Sequence, residues 1–327
     1  MRILLTGASG FVGALLLPRL LEEGHAVRAL ARDPTRVART PPTALAEGYP
    51  LEVVGGDVLT GEGLAKALSG VEVAYYLIHS MERAAGPSSE LSGRASFPER
   101  ERIAAHTFTA AASRAGVRRI VYLGGLVPAR GVEQVSPHTS RHLASREEVE
   151  RIILSGVPDS IALRASIVIG ARSRSFRFLV RLVERLPVLA LPPWRRFSTQ
   201  PLDARDMVEM LTAAATATGV SGRSLDVGGP EAITYEEMIL RIADLMLVNR
   251  PAFKFGVSAT ALTARVAAAI ASEDPELIVP LMEGLQGDLL LADDRAAELL
   301  NVHLHSFDSA VEHALAEWER SEPLAAR

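Results

Sequence analysis

Short apolar runs alternate with stretches of helical spacing from the first residues onward. Residues 2–6 form an apolar run that predicts a buried strand. A glycine-rich turn follows, and residues 14–21 open as a helix. The same alternation recurs. Strands are predicted at 26–31, 51–54, 71–78, 120–123 and 160–163, the last continuing toward 169. Helices are predicted at 61–68, 99–115 and 142–155, with loops at 82–98 and 127–140. The fourth strand is apolar enough to be buried on both faces. Strands that alternate with helices from the first residue imply an α/β fold with a doubly wound parallel sheet. Ligands of such sheets bind at the carboxyl ends of the strands. That rule places Gly7, Arg32, Asp57, His79 and Gly124 along one edge.

The later chain changes character. Helices are predicted at 176–186, 206–215, 234–247 and 259–271, with further ones to 321, and residues 187–201 read as irregular. Residues 224–229 read as a strand and turn that returns to the sheet. Arg174, Arg177, Arg181 and Arg185 recur at helical spacing. They read as a solvated face, with anion binding as the alternative. The division implied is a Rossmann-type domain over 1–170, with a return segment near 200–230. A smaller, mainly helical, substrate-side lobe takes 171–199 and 231–327.

The first turn carries the chemistry. Gly7 permits the tight exit from the strand. Gly10 lets backbone approach a pyrophosphate, and Gly13 lets the helix pack close. The helix N-terminus offers N–H groups and partial positive charge to phosphates. The spacing is Gly-x-x-Gly-x-x-Gly rather than the commoner Gly-x-Gly-x-x-Gly, but it sits between strand and helix as that chemistry requires. One Arg before an apolar run would also fit a leader peptide. The three glycines and the strand that follows argue against it. Candidate cofactor-binding residues here are Thr6, Gly7, Ser9, Gly10, Phe11, Val12 and Gly13. Arg32 ends the second strand, nineteen residues after Gly13. An acidic residue there would hold the ribose hydroxyl of NAD, whereas Arg suits the 2′-phosphate of NADP. Arg28 or Arg36 stands near enough in sequence to assist. Asp57 and Val58 follow the third strand. Asp57 reads either as an adenine neighbour or as a turn residue. Leu77 and His79 end the fourth strand and Gly124 the fifth. The cofactor expected is NADP(H), ahead of NAD(H).

Composition removes several classes. The chain has 327 residues, of which 48% are hydrophobic and 23% charged, so it can build real cores. A net charge of −4 gives no nucleic-acid footprint. Without cysteine there is no disulfide, thiolate catalysis or cysteine metal site. No apolar run approaches the ~20 residues of a membrane span, so a cytoplasmic protein without membrane contact is expected. Lys66 and Lys254 are the only lysines, which removes almost every candidate for lysine chemistry. His303 and His305 alternate as on a strand but lack an obvious carboxylate partner. No metal site is expected.

Together these landmarks resemble the extended and atypical short-chain dehydrogenase/reductases. The markers are Thr6-Gly7-Ala8-Ser9-Gly10-Phe11-Val12-Gly13, Gly56-Asp57-Val58 and Ala115-Gly116-Val117-Arg118-Arg119-Ile120-Val121-Tyr122-Leu123. Arg164-Ala165-Ser166-Ile167-Val168-Ile169-Gly170 and Val227-Gly228-Gly229-Pro230 are further ones. More narrowly, Tyr75-Tyr76-Leu77-Ile78-His79-Ser80-Met81 and His142-Leu143-Ala144-Ser145-Arg146 resemble an atypical group described as NAD(P)H-binding, or NAD-dependent epimerase/dehydratase-like. NmrA-like regulators and an accessory subunit of respiratory complex I are more distant relatives. The resemblance implies a nicotinamide cofactor and a small-molecule substrate. Standard members carry a Tyr that protonates the carbonyl oxygen and a Lys four residues later that lowers its pKa. None of the five tyrosines here has Lys at that spacing. His142 and Arg146 occupy the aligned positions, Gly124-Gly125 replaces the usual serine region, and Thr107 stands for the expected Asn.

His142 is the candidate acid or base, because imidazole titrates near neutrality. Arg146 is the candidate to hold ribose or phosphate oxygens. The alternative is that both only cap and anchor their helix, and His79 reads as a structural neighbour of the cofactor. Two functions remain open. One is an NADPH-dependent reductase of a small, largely apolar substrate. The other is a non-catalytic NADP(H)-binding redox sensor or assembly or regulatory protein.

Overall fold

The computed structural model describes residues 1–38, 50–78, 96–127, 141–191, 193–254 and 287–322. Strand β1 (Arg2–Thr6) leads into α1 (Phe11–Glu22), β2 (Ala26–Ala31), the short α2 (Pro34–Ala38) and β3 (Leu51–Gly55). Then come α3 (Leu64–Leu68), β4 (Val73–Tyr76), α4 (Phe97–Arg114), β5 (Arg119–Gly125), α5 (Arg141–Gly156) and β6 (Ile161–Ala165). Much later, β11 (Arg223–Val227) joins the same sheet. The strand order is β11-β6-β5-β4-β1-β2-β3, and every pairing is parallel. The expected α/β class and doubly wound sheet are therefore what the chain forms. The order reverses between β1 and β4, which opens a crevice at their carboxyl ends.

Alternation along the strands assigns side chains to two cores. Ile3, Leu5, Val73, Tyr75, Val121, Ile161 and Leu163 face one side. There they meet Leu16, Leu17 and Leu20 of α1, and Met207 and Leu211 of α7 (Ala204–Ala214). Leu4, Ala74, Tyr76, Ile120, Tyr122 and Ala162 face the other, against α3, α4 and α5.

Strand β7 (Val168–Ile169) is separate from β6, not its continuation, and it pairs with β10 (Leu202–Asp203). Helices α6 (Arg174–Arg185), α8 (Tyr235–Leu245) and α10 (Phe307–Glu319) share a further core, while the short α9 (Ala296–Leu299) packs into the sheet core beside β11. The region expected to be irregular holds β8 (Leu189–Leu191), a 3₁₀ turn at Pro193–Arg196 and β9 (Ser198–Thr199). β9 pairs with β12 (Ile233–Thr234), and β8 with β13 (Ala252–Lys254). The helix expected at 259–271, and most of the two loops expected at 82–98 and 127–140, lie outside the described residues.

Two expectations about charge are corrected. The arginine stripe of α6 is not simply solvated. Arg181 is only 8% exposed, pairs with Glu184 and Glu322, and lies over the Trp318 ring. Arg177 lies 4.3 Å from the centre of the same ring. The stripe is the seam that seats α10. His305 does have a carboxylate partner: Nδ1 stands 2.5 Å from Asp206 Oδ1, and its backbone N–H donates to Oδ2 at 2.8 Å. Residues 302–306 form no strand. Among the described residues there is no His/Cys/Asp/Glu group able to hold a metal ion, and no helix long and apolar enough to cross a membrane.

The amino-terminal edge of the sheet is closed by Arg119, which is 2% exposed. Its Nη1 donates to the Ala214 and Ala217 carbonyls at 2.8 and 2.9 Å, satisfying the end of α7. Its Nη2 donates to Asp159 Oδ1 at 2.9 Å. Burial opposes the Asp159 charge, but hydrogen bonds from Arg119 and Ser221 and two cations hold its carboxyl below the usual range. Arg119→Ala should cost about 3 kcal/mol in urea unfolding, because it strands buried carbonyls and a carboxylate. A depressed carboxyl stabilises above its unfolded pKa and loses that contribution as pH falls. The parent should therefore lose more stability than Arg119→Ala on acidification below about pH 4.

Candidate functional site

Thr6 is fully buried at the end of β1. Its hydroxyl donates to the Tyr75 carbonyl at 2.9 Å and accepts from the Leu77 N–H at 3.2 Å. This staple fixes β1 against β4 where the crevice begins. Gly7 then turns with φ +74°, and a Cβ there would lie 2.8 Å from the Leu77 carbonyl oxygen. The Gly10 N–H donates to the Gly7 carbonyl at 2.9 Å and closes the turn. A Cβ on Gly13 would lie 2.2 Å from the same oxygen, so the first turn of α1 rests directly on the glycine turn. Gly10 differs: a Cβ there would meet only that oxygen, at 3.1 Å, and otherwise open space. The α1 N-terminus has no side-chain cap and no acidic residue in its first turn. Its N–H groups, on Phe11, Val12 and Gly13, are therefore available to an anion.

Phe11 packs toward Gly170: a Cβ at that position would come within 2.8 Å of its ring. Ser9 is half-buried in the turn.

Arg32, just past β2, is exposed and has no hydrogen-bond or ion-pair partner among the described residues. Its neighbour Asp33 is occupied otherwise, accepting from Thr35 N–H at 3.0 Å and Thr35 Oγ1 at 2.7 Å to start α2. Arg28 is not free to assist. It pairs with Glu52 and donates to the carbonyls of Lys66, Ala67 and Ser69, capping α3. Arg36 stands exposed on α2. Asp57 uses Oδ1 as a turn acceptor for the Leu59 N–H at 2.8 Å. Val58 is a core residue beneath it.

At the carboxyl end of β4, Leu77 is half-buried and His79 lies outside the described residues. His142 sits in the first turn of α5, and its side chain also lies outside what is described. Gly124 leaves room for Tyr122, whose ring would come within 2.9 Å of a Cβ at that position. Burial raises the Tyr122 phenol pKa against the pull of Arg146. Arg146 is buried at 3% exposure, with Nη1 donating to Tyr122 Oη and to the Ile78 carbonyl. Its Nη2 faces Glu101. Burial opposes the Arg146 charge, yet Tyr122 and Glu101 raise its pKa overall. The guanidinium is thus turned into the interior.

Glu101 and Tyr122 were not among the sequence candidates. Glu101 reads as surface within Glu99-Arg100-Glu101-Arg102. Its spacing to Ala104, Ala105, Phe108 and Ala112, however, puts it on the apolar face of α4. A space of about 140 Å³ lies at the end of β11, walled by Gln200, Asp226 and Leu304. Strands β6 and β5 separate β11 from the crevice strand β4. Its polar groups hold the Leu291 and Ala292 N–H groups.

A family model described as NAD(P)H-binding matches residues 7–154. The (4-alkanoyl-5-oxo-2,5-dihydrofuran-3-yl)methyl phosphate reductase of Streptomyces griseus is 30% identical over 249 residues, covering 75% of this chain and 73% of that protein. A 3-beta-hydroxysteroid dehydrogenase of Mycolicibacterium neoaurum is 32% identical over 148 residues, covering 43% of this chain and 38% of that protein. The fold is shared with UDP-glucuronic acid 4-epimerase from Bacillus cereus, solved in complex with NAD. The TM-score is 0.71 at 14% identity, covering 98% of this chain and 97% of the other.

The glycines separate shape from binding. Gly10→Val should fold with near-parental stability and lose NAD(P)H affinity strongly by calorimetry, because its side chain projects where a pyrophosphate must approach. Gly13→Val should instead lose about 3 kcal/mol or more of stability, since the Gly7 carbonyl cannot move away. Parental affinity in a folded Gly10→Val protein would remove this turn from the binding site.

Proposed function

Because this chain belongs to the short-chain dehydrogenase/reductases, in their atypical extended, NAD(P)H-binding branch, we propose that it is an NADPH-dependent reductase of a small, largely apolar substrate. The observation that carries the cofactor choice is Arg32: exposed, unpartnered among the described residues, and beside an Asp33 already engaged in a turn. A free guanidinium matches a 2′-phosphate, and an occupied carboxylate does not compete for ribose hydroxyls.

In this reading Gly7, Ser9, Gly10, Phe11, Val12 and Gly13 hold the pyrophosphate through backbone, with Thr6 setting the turn from below. Asp57 and Val58 border the adenine. Leu77, His79 and Gly124 border the nicotinamide ribose. The bound dinucleotide supplies the hydride, while the chain orients it and excludes water. His142 is the proton donor. Arg146 acts from the interior rather than on the ribose.

The substrate class follows from what the chain lacks. Hydride addition to an isolated ketone leaves an alkoxide that demands a strong, placed acid. Addition to a carbon–carbon double bond conjugated with a carbonyl leaves a delocalised enolate, which a weaker acid or water can protonate. The absent Tyr–Lys relay fits the second case. The Streptomyces relative is named for reducing an alkanoyl-substituted oxo-dihydrofuran that also carries a methyl phosphate, and its ring and acyl group lie in that direction. A conjugated carbonyl compound with an alkyl chain is the substrate class proposed. The inward-turned Arg146 also favours a second reading, a protein that binds NADP(H) without turnover.

Arg32→Ala should weaken NADPH binding about 10- to 150-fold, the worth of a charged hydrogen bond, and leave NADH binding nearly unchanged. Equal weakening of both, or tighter NADH binding by the parent, would overturn the NADP assignment. His142→Gln should keep NADPH affinity and lower turnover of enones by about 10²–10⁴-fold. Parental turnover should fall as pH rises, because only the protonated imidazole donates. A parent that binds NADPH but turns over no ketone or enone of a broad panel would support the binding-only reading.

A further inference from the structure

The interior beneath the crevice holds a charge pair that the proposed chemistry does not use. Glu101 is 3% exposed, on a face of α4 otherwise built from Ala104, Ala105, Phe108 and Ala112. Ser145 Oγ donates to its Oε2 at 3.4 Å, and Arg146 Nη2 stands 3.4 Å from its Oε1. Arg146 Nη1 reaches Tyr122 Oη and the Ile78 carbonyl, each at 3.4 Å. These four contacts are longer than the ordinary range of roughly 2.7–3.2 Å, and Glu101 has a further interaction besides them. Nη2, though buried, makes no hydrogen bond. Desolvation offsets much of what a buried ion pair returns, so stability alone is a weak reason for this pair.

Placement accounts for it better. Through one guanidinium the pair ties α4 to three other segments. Ile78 directly precedes His79. Tyr122 fills the space beside Gly124. Arg146 lies one helical turn after His142 on α5. These are the segments assigned above to the nicotinamide end.

We infer that Glu101 is a positioning residue: it holds the Arg146 guanidinium between the Tyr122 hydroxyl and the Ile78 carbonyl, and so sets the end of β4 against the helix that carries His142. The inference rests on the reductase reading for its effect on turnover, but not for its effect on the bound cofactor. A carboxylate is required because the Arg146 charge is buried and must be matched. Without it the guanidinium would turn toward the crevice, and the Ile78 carbonyl would lose its donor.

The experiment compares Glu101→Gln, the apolar pair Glu101→Leu with Arg146→Met, and Tyr122→Phe. It reads Tm, NADPH Kd, kcat on an enone, and the emission maximum and lifetime of bound NADPH. Glu101→Gln should lower both Tm and kcat. The apolar pair should recover Tm, because well-packed apolar groups replace buried ion pairs without loss. It should nevertheless keep kcat at least tenfold below the parent with Kd within threefold, and shift the emission of bound NADPH. A merely structural pair would return Tm and kcat together. Parental kcat and emission in the apolar variant overturn the inference. If that variant does not fold, Tyr122→Phe decides, since it removes one anchor of Arg146 at constant shape. It should lower kcat several-fold and shift the emission, and parental values overturn the inference. If the parent turns over nothing, the reductase reading fails on its own, and the emission comparison alone decides the role of Glu101.

Discussion

The close approach of Gly13 to the Gly7 carbonyl is the constraint on which the rest depends. No side chain fits there, because a Cβ would lie 2.2 Å from the oxygen. That contact seats the first turn of α1 on the end of β1. The Thr6 hydroxyl then locks β1 to β4 across the point where strand order reverses. The crevice is thus fixed before any ligand arrives, and its floor is backbone. A backbone floor explains why the spacing of three glycines matters more than the residues between them.

The two ends of the sheet are built on different terms. At the amino end, Arg119 makes its contacts at 2.8 to 3.2 Å, to carbonyls, a carboxylate and a hydroxyl. At the carboxyl end, Arg146 is as deeply buried but reaches its partners only at 3.4 Å, and one nitrogen makes no hydrogen bond. Both arginines remove charge from water. Only the first recovers it fully in hydrogen bonds. On the proposed reading, local rules are satisfied where the sheet needs only to be stable, and relaxed at the end where the cofactor binds.

What the sequence makes legible is what depends on near neighbours. Strand β2 falls on the predicted residues, the glycine turn sits between strand and helix, and the return strand joins β6. What it hides depends on partners far along the chain. The α6 stripe reads as a solvated face because Glu322, the partner of Arg181, is 141 residues away. His305 reads as unpartnered because Asp206 is 99 residues away. Arg28 reads as available because its acceptors are carbonyls at the end of α3, which carry no side-chain signal. Glu101 is the instructive case: its charge says surface, its spacing says core, and the spacing is right.

The fold is shared with enzymes of other chemistry, so it does not choose the reaction. The choice must lie in the side chains that a bound cofactor and substrate would meet. Phe11 joins the glycine turn to the later chain. It belongs to the first turn of α1, yet its ring packs against Gly170, ahead of α6. The first turn of α1 therefore touches the segment leading into α6. On the proposed reading, the turn that holds the pyrophosphate and the segment that leads into α6 meet at this one side chain, so the side chains that follow Gly170 are the first to be set against the cofactor site.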